Sequence, residues 1–400
     1  MRVSASAARV HAALTGARER LAARDEHVLR TQIAVSEIPA PTGDESRRAT
    51  WVSGQFTALG LADVRTDHAG NVIGRRPGAE DGPAVAVCAH LDTVFPANTT
   101  LEVRRDGSRL AGPGIGDNGR GLAAMLALAG EIDGVRIRLR TPVDFVATTG
   151  EEGAGDLRGA KAFFAGAVGQ VAAAVALDGA GDERVVHRAL GARRFRVTYR
   201  GTGGHSWAAY GVANPVHAAA AAVATLGAQA LPREPRTALT VGRIGGGIAV
   251  NAIPEWGWFE VDLRSASAEI LERYDREIRA AALAAEAAEN ARRAPGTRPL
   301  AVEIEVIGDR PCGDVPADDP LVLAAIEATR LIGREPDLAT ASTDANIPIS
   351  LGIPAVAIGA GGTGGDAHTA NEWYDNAGGT LGLARALTTI VSAAGLVSPG

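Results

Sequence analysis

Cysteine is scarce in this chain. Cys88 and Cys312 are the only two among 400 residues, too few for a disulfide framework, so a reducing compartment is expected. Cys88 lies in the apolar run 84–89 and reads as a small buried hydrophobe. Lysine is scarcer still: Lys161 stands alone among arginines, a bias that fits GC-rich coding and carries no functional weight. A block of basic charge is also missing. With 40 basic against 46 acidic residues and a net charge of -6, the chain shows no footprint for nucleic acid or for a polybasic membrane contact. Long apolar runs are absent as well. The most apolar stretch, 208–231, is broken by Asn214, Pro215, His217 and glycines, which excludes a membrane span. The first 27 residues carry arginines and glutamates where a cleaved signal needs an unbroken apolar core. No export signal is expected, and a cytoplasmic location is. Fifty glycines and twenty prolines fall without a period, so collagen-like and solenoid repeats are excluded.

What remains is a globular composition, 46% apolar and 22% charged with a mean hydropathy of +0.04, in a chain long enough for two domains. After a helical region to about Gln55, short apolar runs at 84–89, 142–149, 171–177 and 355–359 end in loops bearing Gly or Asp. Runs this short and unalternating predict strands buried on both faces, and helical patterns such as Leu122, Met125, Leu126 and Ala129 lie between them. The expected fold is α/β, an open doubly wound sheet. Between 185 and 308 the rhythm changes to strand 194–200, helix 215–231, strand 237–244, strand 256–263, helix 268–290 and strand 300–307. This β-α-β-β-α-β order predicts an inserted ferredoxin-like domain, which leaves 1–184 and 309–400 as the two parts of the larger α/β domain.

Chemistry-bearing residues cluster at the ends of the apolar runs or in Gly-rich loops: His90 and Asp92 in AHLDTV, Asp117 in GPGIGDNGRG, Glu151 and Glu152 in TTGEEG, Asp178 in ALDG, and His368 in GGDAHT. In open α/β sheets such positions converge on one crevice beyond the carboxyl ends of the strands. So many carboxylates in one crevice would repel each other, and a pair of divalent cations resolves the conflict. Two imidazoles with three or four carboxylates suit two ions about 3.5–4 Å apart, bridged by one carboxylate, that acidify a water near neutral pH. His90 and Asp92, two apart in an extended segment, project to the same side, so Asp92 can accept the imidazole N–H not needed by a metal. Glu151 and Glu152 point to opposite sides, which lets one bind metal and the other act as general base.

In order, HLDTV, GPGIGDNGRG, TGEEG, ALDG, GTGGHS, VNAIPE, VDLRS, STDAN and the late histidine of DAHT resemble the dizinc exopeptidases and amidohydrolases of the aminoacylase, peptidase T and carboxypeptidase G type. The resemblance spans most of the chain and implies that the inserted domain is a dimerisation domain. It implies His90 and Asp178 on one zinc, Glu152 and His368 on the other, and Asp117 bridging them. It further implies Glu151 as the general base, Asp92 as the residue orienting His90, and His205 as a catalytic histidine reaching across a homodimer. Arg264 and Asn251 match positions that hold a substrate carboxylate or oxyanion, with backbone N–H groups near Gly361 as helpers. The implied substrate is a small peptide or an N-acyl amino acid, with an exopeptidase favoured over a deacylase. Zinc is the expected ion, and cobalt and manganese suit the same donors.

Two other classes deserve weighing. Gly114-Ile-Gly116-Asp-Asn-Gly119 matches G-x-G-x-x-G formally, yet it follows no clean buried strand and lacks the ribose-binding acid about 20 residues on, so a dinucleotide site is not supported. A metal-free binding protein on the same fold is the alternative from another class; every implied ligand and the base are present, so a lost activity would have to come from the geometry of the site. His68, His187 and His217 read as structural or exposed, and Asp344 as a turn former or a neighbour of the site.

Overall fold

A computed structural model describes residues 4–397. The chain divides into two compact units, Met1–Ala189 with Asp314–Gly400, and Leu190–Gly313.

The first unit begins with four helices, α1 (Ser4–Ala13), α2 (Thr15–Ala23), α3 (Asp25–Ser36) and α4 (Ser46–Ala58). Its sheet is built from β1 (Ala62–Thr66), β2 (Val72–Arg76), β3 (Ala84–His90), β4 (Val143–Thr148), β5 (Val171–Leu177) and β6 (Arg184–Ala189). Between β3 and β4 runs α5 (Gly119–Glu131), and between β4 and β5 runs α6 (Arg158–Gly166). The spatial order is mixed. β4, β3 and β5 are parallel neighbours, while β2 joins β4, and β1 joins β2, antiparallel. Every residue of β3 and β4 is buried, as expected for strands covered by helices on both faces. Phe145, Val87 and Leu122 are wholly buried in one core, each contributing about 1.5–3 kcal/mol by leaving water.

The second unit contains β7 (Gly191–Arg200), α7 (Pro215–Gly227), β8 (Thr237–Gly246), β9 (Trp256–Ser265), α8 (Ala268–Ala291) and β10 (Ala301–Arg310). Its four strands form an antiparallel sheet in the order β8-β9-β7-β10. β9 alternates buried and partly exposed residues along its length, so one face carries the core of Phe259, Val261 and Leu263 under the two helices. Asn214 caps α7 ahead of Pro215, and Ser267 caps α8, the start signals expected of each sequence.

The chain then completes the first unit with α9 (Pro320–Leu331), β11 (Asp337–Ala341), β12 (Ala355–Ile358) and α10 (Gly379–Ala394). β12 lies parallel to β5 and antiparallel to β6, and β11 pairs parallel with β6. The boundaries expected at 184/185 and 308/309 fall inside β6 and β10. β6 belongs to the large sheet because it pairs there with β11 and β12, which lie more than 140 residues further along the chain. No helix among the described residues is long and apolar enough to cross a membrane.

Candidate metal centre

His90 ends β3, Asp178 follows β5 directly, and Glu151 and Glu152 lie just beyond β4. These three strands are parallel, so their carboxyl ends share one edge of the sheet. Asp117 is brought to that edge by the turn before α5. The turn is fixed by Asn118, whose amide donates to the Leu177 carbonyl (2.9 Å) and accepts the N–H groups of Gly121 and Gly179 (3.1 Å each). His368 arrives from the loop after β12, with a positive φ of 65° that a non-glycine residue adopts rarely.

Asp117 stands between the two imidazoles. Its Oδ1 lies 2.9 Å from His90 Nε2, and its Oδ2 lies 3.1 Å from His368 Nε2. On one side Asp178 Oδ1 is 4.0 Å from His90 Nε2; on the other, Glu152 Oε1 is 2.9 Å from His368 Nε2. Among the described residues, ligand atoms of His90, Asp117 and Glu152 fall within 4.8 Å of one another, a spacing that could hold a metal ion. The donor chemistry fits: imidazole and carboxylate suit zinc, cobalt or manganese, and a carboxylate with an imidazole at each oxygen has the form of a bridge.

Residues 86–392 match the profile of Peptidase family M20/M25/M40. The chain belongs to this family. It is a hydrolase acting on peptide or amide bonds. No match is found among curated protein sequences. Among solved structures, aminopeptidase PepT from Bacillus cereus is similar at 24% identity over 92% of this chain and 99% of that one, with a TM-score of 0.73. The dipeptidase Dug1p from Saccharomyces cerevisiae is similar at 16% identity over 95% and 98%, with a TM-score of 0.74. A dinuclear metal-binding M20 peptidase from Bacillus subtilis is similar at 17% identity over 92% and 98%, with a TM-score of 0.66. At these identities the likeness to the three structures is one of fold.

The electrostatics of this M20 chain set the crevice's acids and imidazoles against one another. Burial, and then the charge of Asp117, push Asp178 up to about 7. Burial and Asp117 also raise Glu152, against the pull of His90 and His368. Hydrogen bonding to Asp117 pushes His368 up to about 9. Burial works against a charged His90, but Asp117 and Asp92 outweigh it and hold that ring well above the usual imidazole range. Asp117 is also buried, yet His368 and His90 keep it well below the usual carboxylate range. Buried carboxylates thus crowd this crevice against one another, a conflict that divalent cations would relieve.

Asp92 meets His90 mainly through its main chain, and its carboxylate has further partners. The Nδ1 of His90 is 3.0 Å from the main-chain carbonyl of Asp92 and 3.6 Å from its carboxylate. The carboxylate also accepts the N–H groups of Glu151 (2.9 Å) and Glu152 (3.0 Å) and the Thr42 hydroxyl (2.8 Å). It fixes both glutamates at the end of β4. His90 and these N–H groups outweigh burial and bring Asp92 to about 2.

Three predicted residues, His205, Asn251 and Arg264, belong to the second unit. His205 is exposed on the short strand Gly204–His205, paired with Ala252–Ile253. Its Nδ1 accepts the N–H groups of Trp207 and Ala208 (3.2 and 3.4 Å), so Nε2 is the ring's donor. Asn251 is exposed, and its main-chain carbonyl accepts Ser206 N–H at 3.0 Å. The Arg264 Nε donates to Asp262 Oδ2 at 2.6 Å. In the first unit, the Gly361 N–H donates to the Gly181 carbonyl at 3.2 Å, so this amide is spent and is not itself an oxyanion donor. Its φ of +93°, and a Cβ that would strike the Gly379 carbonyl, make glycine necessary there. His187 is buried with Nδ1 on the Val315 carbonyl at 2.6 Å, a structural role. Asp344 is buried and accepts the hydroxyl of Thr148, the last residue of β4.

Sequence reasoning missed Glu45 and Glu372, and the role of Asn118 in fixing the Asp117 turn. Glu45 accepts Gly150 N–H at 3.1 Å and pairs with Arg158 at 2.6 Å, which anchors the TGEEG loop. Asn118 carried a signal, its place before an apolar helix. Glu372 carried none, since an acid buried by a distant loop looks in sequence like any surface acid.

Proposed function

We propose that this M20 chain is a metal-dependent exopeptidase of small peptides. His90 and Asp178 would hold one divalent ion, Glu152 and His368 a second, and Asp117 would bridge them, with zinc the expected metal. The observation that carries this reading is the Asp117 carboxylate, which meets a different imidazole at each oxygen. Two ions bound there would acidify a water and polarise the scissile carbonyl. Glu151, buried beside His90, takes the water's proton on its carboxylate and delivers it to the leaving amine nitrogen. Asp92 holds Glu151 and Glu152 by their N–H groups, so base and ligand keep fixed positions. The His90 tautomer is set by its Nδ1 contact with the Asp92 carbonyl, leaving Nε2 for metal. A cavity of about 600 Å³ opens beside Asp117 and Asp178, lined also by Arg334, Thr363 and Trp373, a size that suits a di- or tripeptide.

The second unit is proposed as a ferredoxin-like dimerisation domain, and its element and sheet order support that reading. Around His205 the apolar side chains Trp207 and Tyr210 are each 86% exposed, and Ile248 and Val250 stand almost wholly in solvent. Apolar surface of this kind favours burial in a homodimer. There His205 would polarise the carbonyl of a substrate held by the partner, and Arg264 and Asn251 would hold a substrate carboxylate or the oxyanion. The test is hydrolysis of a panel of di- and tripeptides beside N-acetyl amino acids. Chelator-sensitive cleavage of the peptides supports the reading, cleavage of the N-acyl compounds alone makes the chain a deacylase, and cleavage of neither contradicts both.

A further inference from the structure

Glu372 is 1% exposed and gathers almost the whole loop that carries Asp117. Its Oε1 accepts the N–H groups of Gly116 and Asp117, and its Oε2 accepts that of Gly114, all at 2.8 Å. Its main-chain carbonyl accepts Gly112 N–H at 2.9 Å, and its own N–H donates to the Thr369 carbonyl at 3.2 Å. Next to it, Trp373 pairs with Ala111. Four N–H groups between 112 and 117 thus end on one residue that stands four positions after His368. Successive N–H groups arranged this way make a concave site for an anion, and here the anion is built into the chain. A carboxylate is required: an amide in its place would turn an NH₂ donor toward N–H donors.

We infer that Glu372 is the positioning residue that fastens the Asp117 loop to the His368 loop, so that the shared carboxylate and the late histidine are presented as one preformed unit to the metals. The inference rests on the proposed metal pair, whose ligands it positions. Without Glu372 the Asp117 loop would lose the hydrogen bonds that tie it to the His368 loop, and the residues that would hold the two ions would no longer be held at a fixed spacing. Hydrogen-bonded partners behind metal ligands commonly set affinity by about 10–100-fold, and Glu372 is expected to act within that range.

The test uses the full-length chain. Glu372→Gln and the milder Glu372→Asp, which keeps the charge but shortens the reach, are compared with wild type. Manganese or zinc binding is titrated into chelator-treated protein, bound metal is counted after equilibrium dialysis, and amide exchange is followed at residues 112–117. Expected are binding weakened by at least about tenfold in Glu372→Gln and less in Glu372→Asp, faster exchange at Gly114, Gly116 and Asp117, and kcat restored by excess metal. A merely structural role would lower the melting temperature without metal rescue. Wild-type affinity in a folded Glu372→Gln chain would overturn the inference. If Glu372→Gln does not fold, wild-type affinity in Glu372→Asp overturns it equally. Wild type that takes up no metal would contradict the proposed function instead; slow exchange of the three amides in that protein would still uphold the loop fastening, and fast exchange would refute it.

Discussion

Removing the metals should make the chain's stability fall as pH rises. In the metal-free chain Asp178 is lifted from its ordinary 3.8 to about 7, first by burial and then by Asp117. A folded acid with a raised pKa keeps its proton while the unfolded chain has released it. Its contribution is complete below about 3.8 and is lost as pH rises through about 7. At about 1.4 kcal/mol per pKa unit the total is at most about 4 kcal/mol, an upper limit because 26% of the side chain still meets solvent. Between about pH 5.5 and 7 the loss is about 2 kcal/mol. His90 and His368, both raised, act in the same direction, with the His368 contribution lost as pH passes about 9. Bound metal reverses the trend, because the ligands must be deprotonated to coordinate. The assay is thermal unfolding of metal-loaded and chelator-treated protein from about pH 5.5 to 8.5. The gap between the two melting temperatures should widen by about 4–8 °C across the Asp178 titration, at roughly 2–4 °C per kcal/mol. Replacing Asp178 by Asn should flatten the metal-free curve. A gap that stays constant or narrows as pH rises would refute the reasoning.

Other consequences are checked by substitution. Glu151→Gln should lower kcat by about 10²–10⁴-fold while bound metal, measured by elemental analysis, stays at the wild-type level; lost metal would mean that Glu151 is a ligand. His205→Ala should lower kcat by about 10²–10³-fold with metal unchanged. Mixing that variant with Glu151→Gln under subunit exchange should recover activity if His205 acts across a dimer, and no recovery would place its action within one chain. Asp92→Ala strands the N–H groups of Glu151 and Glu152 and the Thr42 hydroxyl. It should weaken metal binding by about 10–100-fold and lower the melting temperature. Unchanged metal affinity in a folded Asp92→Ala chain would show that the glutamates hold their places unaided.

Some of this was legible because it is local. The run AVAVCAH is uniformly apolar until His90, and VAAAVAL until Asp178, so strand, burial and the polar residue at the strand end could be read together. Asn118 before LAAMLALA could be read as a helix start for the same reason. Asp92 was only half legible. Its neighbourhood to His90 is written in the sequence, but its grip on Glu151 and Glu152 depends on β3 and β4 lying side by side. Glu372 was not legible at all, since its acceptors are filled by N–H groups about 255 residues earlier in the chain. β6 was read with the inserted segment because its partners, β11 and β12, come after that segment. The amide of Gly361 looked available because no periodicity announces its turn toward Gly181.

The most direct test of the central claim is the metal content of the chain purified without chelator. The account predicts about two divalent ions per chain, with one or both lost in His90→Ala, Asp117→Ala and His368→Ala and retained in Glu151→Gln. No uptake after addition of zinc, cobalt or manganese, or full uptake in Asp117→Ala, would contradict it.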